Sequence, residues 1–258
     1  GIVVMANSQQ STTYWKKFLG VDLFKVEWFL KKGLYDYFGI RLPKLKSQLD
    51  YWKRRGTVYC DEFLSSGYAE REIFFQDHLI SRLKEVEFDS FFEAGCGFGW
   101  NVARVKDEFP DARVGGVDFS DTQLESAKRY MGTREHDFVQ ADICKMPLAD
   151  DQYDVGFSLG VFMNIHGDKI ESACKEMLRV SSKYVMHLEY DENHTTKALR
   201  EKRAFKTNIV SHDYKAIYES LGKKVIQFET YADFGKGYDV HSKSITGGLE
   251  RWEGFEGP

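Results

Sequence analysis

With 258 residues, 42% of them apolar, and a formal net charge of −4, the chain is long enough to bury a full core for one ordinary domain with an appendage. Its four cysteines, Cys60, Cys96, Cys144 and Cys174, form no C-x-x-C pair and no cluster with histidine, which argues against a zinc site or a disulfide framework and for a reducing cytoplasm. No apolar run reaches the roughly 18 residues of a membrane-spanning helix, so none is expected.

The charge is unevenly spread. Residues 1–60 hold 11 Lys/Arg against 4 Asp/Glu, and residues 61–258 hold 25 against 36. The basic front is also aromatic, but it carries no signature of an RNA- or DNA-binding module, so a nucleic-acid partner is disfavoured. Tyr14 to Phe38 reads as a helix that is apolar on more than one side, with Gly20 and Gly33 as interruptions. Such a helix packs on the body or on a second copy in a homodimer. Alternatively it meets a membrane surface, which makes residues 14–38 candidates for peripheral membrane contact. Pro43 marks a break, and Lys44 to Arg55 reads as a short basic helix ending at Gly56. A polar and aromatic joint follows, in which Trp52, Arg55, Tyr59 and Tyr68 are candidates for a lid. The expected division is therefore a helical extension or lid over residues 1–66 and a catalytic-size domain over 67–258.

From Glu70 the chain alternates. A helix to Val86 precedes a strand at Phe88–Glu93, a helix at Trp100–Phe109, a strand at Ala112–Val117 and a helix at Ser120–Met131 capped by Ser120. Phe138–Ala141 and Tyr153–Leu159 read as strands. Asp168–Val180 reads as a helix, Lys183–Tyr190 as a strand, Ser211–Leu221 as a helix and Lys224–Glu229 as a strand, with a last strand near Lys243–Trp252. This order predicts a Rossmann-like α/β fold: a mostly parallel, seven-stranded sheet with helices on both faces and its ligand at the strands' carboxyl ends.

Glu93-Ala94-Gly95-Cys96-Gly97-Phe98-Gly99 joins the first of these strands to its helix, where glycines let backbone N–H groups meet a ligand. The dinucleotide fingerprint fails because Trp100 and Val102 stand where a third spaced glycine belongs, and the phosphate loop fails for want of a following lysine. A carboxylate beside the loop repels a pyrophosphate but suits an ammonium. The remaining pattern, acid-x-G-x-G-x-G, resembles the first motif of class I S-adenosylmethionine-dependent methyltransferases. The resemblance covers roughly residues 70–190. It implies a cofactor site made of Glu93, Gly95, Cys96, Gly97 and Gly99, with Asp118 for the ribose hydroxyls beside Phe119. Asp142 and Ile143 would take the adenine, and Ser158 and Leu159 would lie beside the sulfonium end. The implied cofactor is S-adenosyl-L-methionine, with S-adenosyl-L-homocysteine as product and no metal.

Methyl transfer is an in-line displacement, and an alcohol acceptor gains from a base, for which histidine suits neutral pH. His166, His194 and His212 lie after strand ends and are the candidates; His78 and His136 are poorer ones. Gly160–His166, Leu178–Tyr190 and Ser211-His212-Asp213-Tyr214 are similar to methyltransferases of sugar and surface-polysaccharide biosynthesis, which implies O-methylation of a sugar, glycan or related small metabolite. Asn164-Ile165 before the histidine and the basic stretch Lys197–Lys206 depart from that group. Two alternatives stand beside this reading: an N-methyltransferase of a small amine, and a non-catalytic module that binds S-adenosylmethionine.

Overall fold

The computed structural model describes residues 17–18, 21–22, 26, 30–31, 33–34, 37–40, 48–65, 67–193, 197, 200, 209–230 and 251–256. The chain divides into two compact units, residues 1–45 and 46–258. In the first, β1 (Lys17–Phe18) pairs antiparallel with β2 (Val21–Asp22). The continuous helix expected over Tyr14–Phe38 is therefore not formed. Gly20, between the two strands in sequence, disfavours helix by about 1 kcal/mol relative to alanine. Helical conformation is found at the described residues 26, 30, 31, 33, 34, 37 and 38.

The second unit begins with α1 (Gln48–Arg55), α2 (Tyr59–Ser65) and α3 (Tyr68–Leu83). The boundary falls before α1 and not after residue 66, because α1 is tied to the α/β body. Ser120 Oγ donates to the Trp52 carbonyl (3.3 Å), Thr122 Oγ1 to that of Lys53 (2.6 Å) and Ser126 Oγ to that of Gly56 (3.2 Å). These carbonyls lie at a helix C-terminus, where the last turn runs out of backbone donors; that of Trp52 also accepts from the Gly56 N–H at 2.7 Å.

The body alternates as its periodicity predicts: β3 (Ser90–Ala94), α4 (Trp100–Glu108), β4 (Arg113–Asp118), α5 (Asp121–Met131), β5 (Asp137–Gln140), β6 (Tyr153–Leu159), α6 (Ile170–Val180), β7 (Ser181–Tyr190), α7 (Tyr214–Ser220), β8 (Val225–Thr230) and β9 (Arg251–Glu256). Ser120 caps α5 by accepting from the Gln123 N–H, and Asp213 caps α7 by accepting from that of Ala216. The strand order is β5-β4-β3-β6-β7-β9-β8. Only the five strands β5 to β7 are mutually parallel; β9 runs antiparallel to both β7 and β8. The parallel part is thus smaller than a seven-stranded parallel reading implies. The last strand also lies later than expected, at Arg251–Glu256.

β3 is buried along its whole length, as a central strand covered on both faces is. Phe91 and Phe92 point to opposite faces and are both fully buried. Phe91 joins the core with Leu79, Val102 and Val105, and Phe92 joins the core with Cys174, Met177 and Tyr214. At about 2–3 kcal/mol for each buried phenylalanine, the two rings fix β3 as the centre of the sheet. The chain winds outward from β3 to β4 and β5 on one side, then crosses to β6 and β7 on the other. That places the switch point, where ligands of open α/β sheets bind, at the carboxyl ends of β3 and β6.

Among the described residues no helix is long and apolar enough to cross a membrane, and no group of three or more His, Cys, Asp or Glu side chains could hold a metal ion.

Candidate active site

β3 ends in Glu93 and Ala94, and the loop beyond turns through three left-handed glycines, Gly95 (φ 74°), Gly97 (φ 53°) and Gly99 (φ 81°). The Gly95 and Cys96 N–H groups both donate to the Val117 carbonyl, at 2.6 and 3.0 Å, so the loop folds back over the end of β4. Gly95 has a second reason to be glycine: a Cβ there would overlap the Val161 side chain. The sequence hid a similar demand on β4, where a Cβ on Gly116 would lie 2.7 Å from both Cys96 Cβ and Sγ.

Three acids end three neighbouring elements. Glu93 is buried; its Oε1 accepts from Asn101 Nδ2 at 2.8 Å, and its Oε2 has no hydrogen-bond partner among the described residues. Asp118, 6% exposed, accepts from the Gly97 N–H at Oδ2 (3.0 Å) and from the Ser120 N–H at Oδ1 (2.8 Å). It thereby stitches the glycine loop to the start of α5. Asp142, after β5, is exposed and accepts from the Cys144 N–H at 2.9 Å.

These groups open onto one cavity of about 580 Å³. That is within the roughly 300–1,000 Å³ of pockets that enclose a whole small ligand. Of the cofactor residues expected from sequence, Glu93, Gly95, Cys96, Gly97, Asp118, Phe119, Asp142, Ile143 and Leu159 line it. Gly99 and Ser158 do not. Gly99 caps α4, and Ser158 is fully buried, its hydroxyl donating to Glu189 Oε1 at 2.8 Å.

Of the histidine candidates among the described residues, His166 lines the cavity, at an exposed position, and His212 does not. His212 is buried, and its Nε2 lies 2.8 Å from the Ile165 carbonyl and 3.2 Å from that of Phe162, so that nitrogen carries the proton and donates. It supports the Phe162–Ile165 turn and does not line the cavity. His194 lies outside the described residues, as do Lys202, Arg203, Phe205 and Lys206.

Trp52, Tyr59 and Phe63, from α1 and α2, form an aromatic wall beside the loop. Trp52 meets Tyr59 edge-on at 5.5 Å, and Phe63 packs edge-on against Phe98 (5.3 Å) and Trp100 (4.8 Å). Arg55 is not in the cavity wall. It pairs with Glu62 at 3.2 Å and lies over the Tyr59 ring. Sequence reasoning missed Phe63, Phe98 and Trp100. Their helical spacing reads equally well as ordinary core, and only the meeting of α2 with the glycine loop turns them into a wall.

Residues 91–183 match a family model described as a methyltransferase domain. A 123-residue stretch is 28% identical to sterol 24-C-methyltransferase erg6 of Aspergillus fumigatus, covering 44% of this chain and 32% of that protein. The chain thus spans about a third of the length of that curated relative. Among solved structures, a putative methyltransferase in complex with the Haloferax volcanii Trm112 activator aligns with TM-score 0.62 and 16% identity over 83% of this chain and 99% of that one. Magnesium protoporphyrin IX methyltransferase from Synechocystis, solved with S-adenosylhomocysteine, aligns with TM-score 0.54 and 12% identity over 92% and 99%.

This chain has the class I methyltransferase fold. The matched methyltransferase domain, with neighbours solved as S-adenosylhomocysteine complexes, supports S-adenosylmethionine as the cofactor.

Around the cavity the acids are electrostatically strained. Burial pushes the Glu93 carboxyl up to about 8, against the lowering effect of Asn101, and the nearby Asp118 and Glu189 raise it further. Burial likewise raises Asp118 to about 6, opposed by the backbone N–H groups of Ser120 and Gly97. A carboxyl raised on folding makes the native state bind more protons than the unfolded chain, so its contribution to stability falls as pH rises from the unfolded to the folded value. The ligand-free protein should therefore lose stability between about pH 4.5 and 8 through Glu93. Urea midpoints measured across that window should decline in wild type and decline less in Glu93→Gln; parallel curves would show that Glu93 is not the group responsible.

Proposed function

We propose that this protein is an S-adenosylmethionine-dependent methyltransferase that methylates a hydroxyl of a small molecule, a sugar or related metabolite. The observation that carries the reading is the buried, unpartnered Oε2 of Glu93 at the end of the glycine loop. An orphaned carboxylate oxygen facing a cavity lacks a donor or a cation, and the cofactor's ammonium is both.

The other residues divide the remaining work. Asp118 already accepts two backbone N–H groups and retains lone pairs for two ribose hydroxyls. Asp142 and the Ile143 backbone, in the same lining, would take the adenine edge. When bound, the cofactor supplies a methyl group activated on a sulfonium. The aromatic wall of Trp52, Tyr59 and Phe63 would exclude water from it, and the Leu159–Val161 segment would hold its reacting end. At the rim, Asn164, His166, Asp168 and Lys169 offer donors and acceptors to a hydroxylated acceptor, and His166 is the remaining candidate for a base.

A small amine is the second reading. It is favoured by the combination of Trp52 and Tyr59 with a second buried carboxylate, Glu72, in the same lining, since aromatic faces and acids hold cations. Release of S-adenosylhomocysteine should be measured against a panel of sugars, nucleotide sugars and small amines. Turnover on hydroxyl compounds that His166→Ala slows at least about tenfold supports the first reading. Turnover on amines alone replaces it with the second. Absence of S-adenosylmethionine binding in calorimetry removes both.

A further inference from the structure

The turn after β6, which forms the cavity wall from Gly160 to Ile165, is held from behind by residues that do not line the cavity. Glu189, 1% exposed near the end of β7, accepts at one oxygen from the Val161 N–H (3.0 Å), the Phe162 N–H (3.2 Å) and the Ser158 hydroxyl (2.8 Å). Because Ser158 has one proton and gives it to Glu189, the His187 Nδ1 at 2.7 Å must be the donor to Ser158 Oγ. Nε2 of His187 then accepts from the Tyr218 hydroxyl. All four members are buried: a relay of donors running from α7, under the sheet, into one carboxylate oxygen. The turn's carbonyls are held separately. His212 Nε2 donates to Phe162 and Ile165, and the Val210 N–H donates to Met163 at 2.8 Å.

The pinned turn bears directly on the glycine loop, because Val161 occupies the space that a side chain at Gly95 would need. We propose that Glu189 is a positioning residue: by holding the Val161 and Phe162 N–H groups it sets the acceptor wall against the cofactor loop, so that the two halves of the site are placed together. The functional half of this statement rests on the methyl-transfer reading above; the structural half does not.

The test compares wild type, Glu189→Ala and Glu189→Gln by amide hydrogen exchange of the Val161 and Phe162 amides and by calorimetric titration with S-adenosylhomocysteine. The alanine variant should exchange those two amides at least about tenfold faster, the loss of roughly one hydrogen bond each, with the distant sheet unchanged. Its affinity should fall about five- to tenfold through the loosened contact with Gly95. Glutamine keeps an acceptor oxygen at the same reach and should restore both to within about twofold. Unchanged exchange at Val161 and Phe162 in the alanine variant, or a glutamine variant no better than alanine, overturns the proposal. Should Glu189→Ala not fold, Glu189→Asp, which withdraws the oxygen by one methylene, takes its place with the same expected results. If wild type does not bind S-adenosylhomocysteine, the methyl-transfer reading fails, while the exchange data still decide whether Glu189 holds the turn.

Discussion

Asp118→Ala is expected to weaken S-adenosylhomocysteine binding about 100-fold or more and to lower the melting temperature of the ligand-free protein. Two charge-assisted hydrogen bonds to ribose hydroxyls contribute about 1.5–3 kcal/mol each, which sets the loss in affinity. The stability effect has a separate origin. Without the carboxylate, the Gly97 and Ser120 N–H groups lose their partners inside a nearly closed site, at about 1–3 kcal/mol each. For a chain of this size each kcal/mol lowers the melting temperature by about 2–4 °C. Asp118→Asn keeps acceptor capacity without charge and should lie between. Since burial raises the wild-type carboxyl to about 6, binding should also weaken as pH falls below that value, and the asparagine variant should lack this dependence. Calorimetric titrations at pH 5 and 8 check both points. Wild-type affinity in Asp118→Ala would remove the residue from the site.

Gly95→Ala should be the most damaging single methyl addition in the domain. The residue sits at φ 74°, which costs a non-glycine residue about 1 kcal/mol or more, and the new Cβ would enter the Val161 side chain. A combined cost of about 2–4 kcal/mol is expected in urea unfolding. Loss of S-adenosylhomocysteine binding should accompany it, because the displaced element is either the glycine loop or the turn after β6. Val161→Ala in the same chain should return the overlap part of the cost but not the backbone part. Full recovery in the double variant would show that φ strain is negligible there, and no recovery would show that Val161 is not the obstacle.

The glycine-loop side of the cavity was legible in the sequence because its residues stand at strand ends. Glu93, Asp118 and Asp142 each follow an apolar run, and parallel winding brings consecutive strand ends together whatever the details of packing. The side of the cavity formed by the turn after β6 depends on register. Ser158 pairs across β6 and β7 with His187, and Glu189 reaches back to Ser158, contacts spanning about thirty positions that no local pattern announces. Ser158, read as a ligand residue, therefore turns out to belong to the relay beneath. His212 illustrates the same limit. Its His-Asp-Tyr turn was recognisable, but whether the ring entered the cavity or the layer below depended on where the Phe162–Ile165 carbonyls lay. The front helices show the converse case. Trp52 and Tyr59 were marked as lid candidates, yet an aromatic helix beside a glycine reads alike as an appendage or a wall. The difference was made by three hydroxyls on α5 and its cap.

Those hydroxyls bear on traffic through the site. Ser120, Thr122 and Ser126 together contribute about 3 kcal/mol of net hydrogen bonding to the end of α1, and the Gly56 backbone fits against Gln123 with no room for a Cβ. Lifting that side of the cavity means breaking all of these contacts at once. His166, Asp168 and Lys169, by contrast, are the exposed polar members of the same lining.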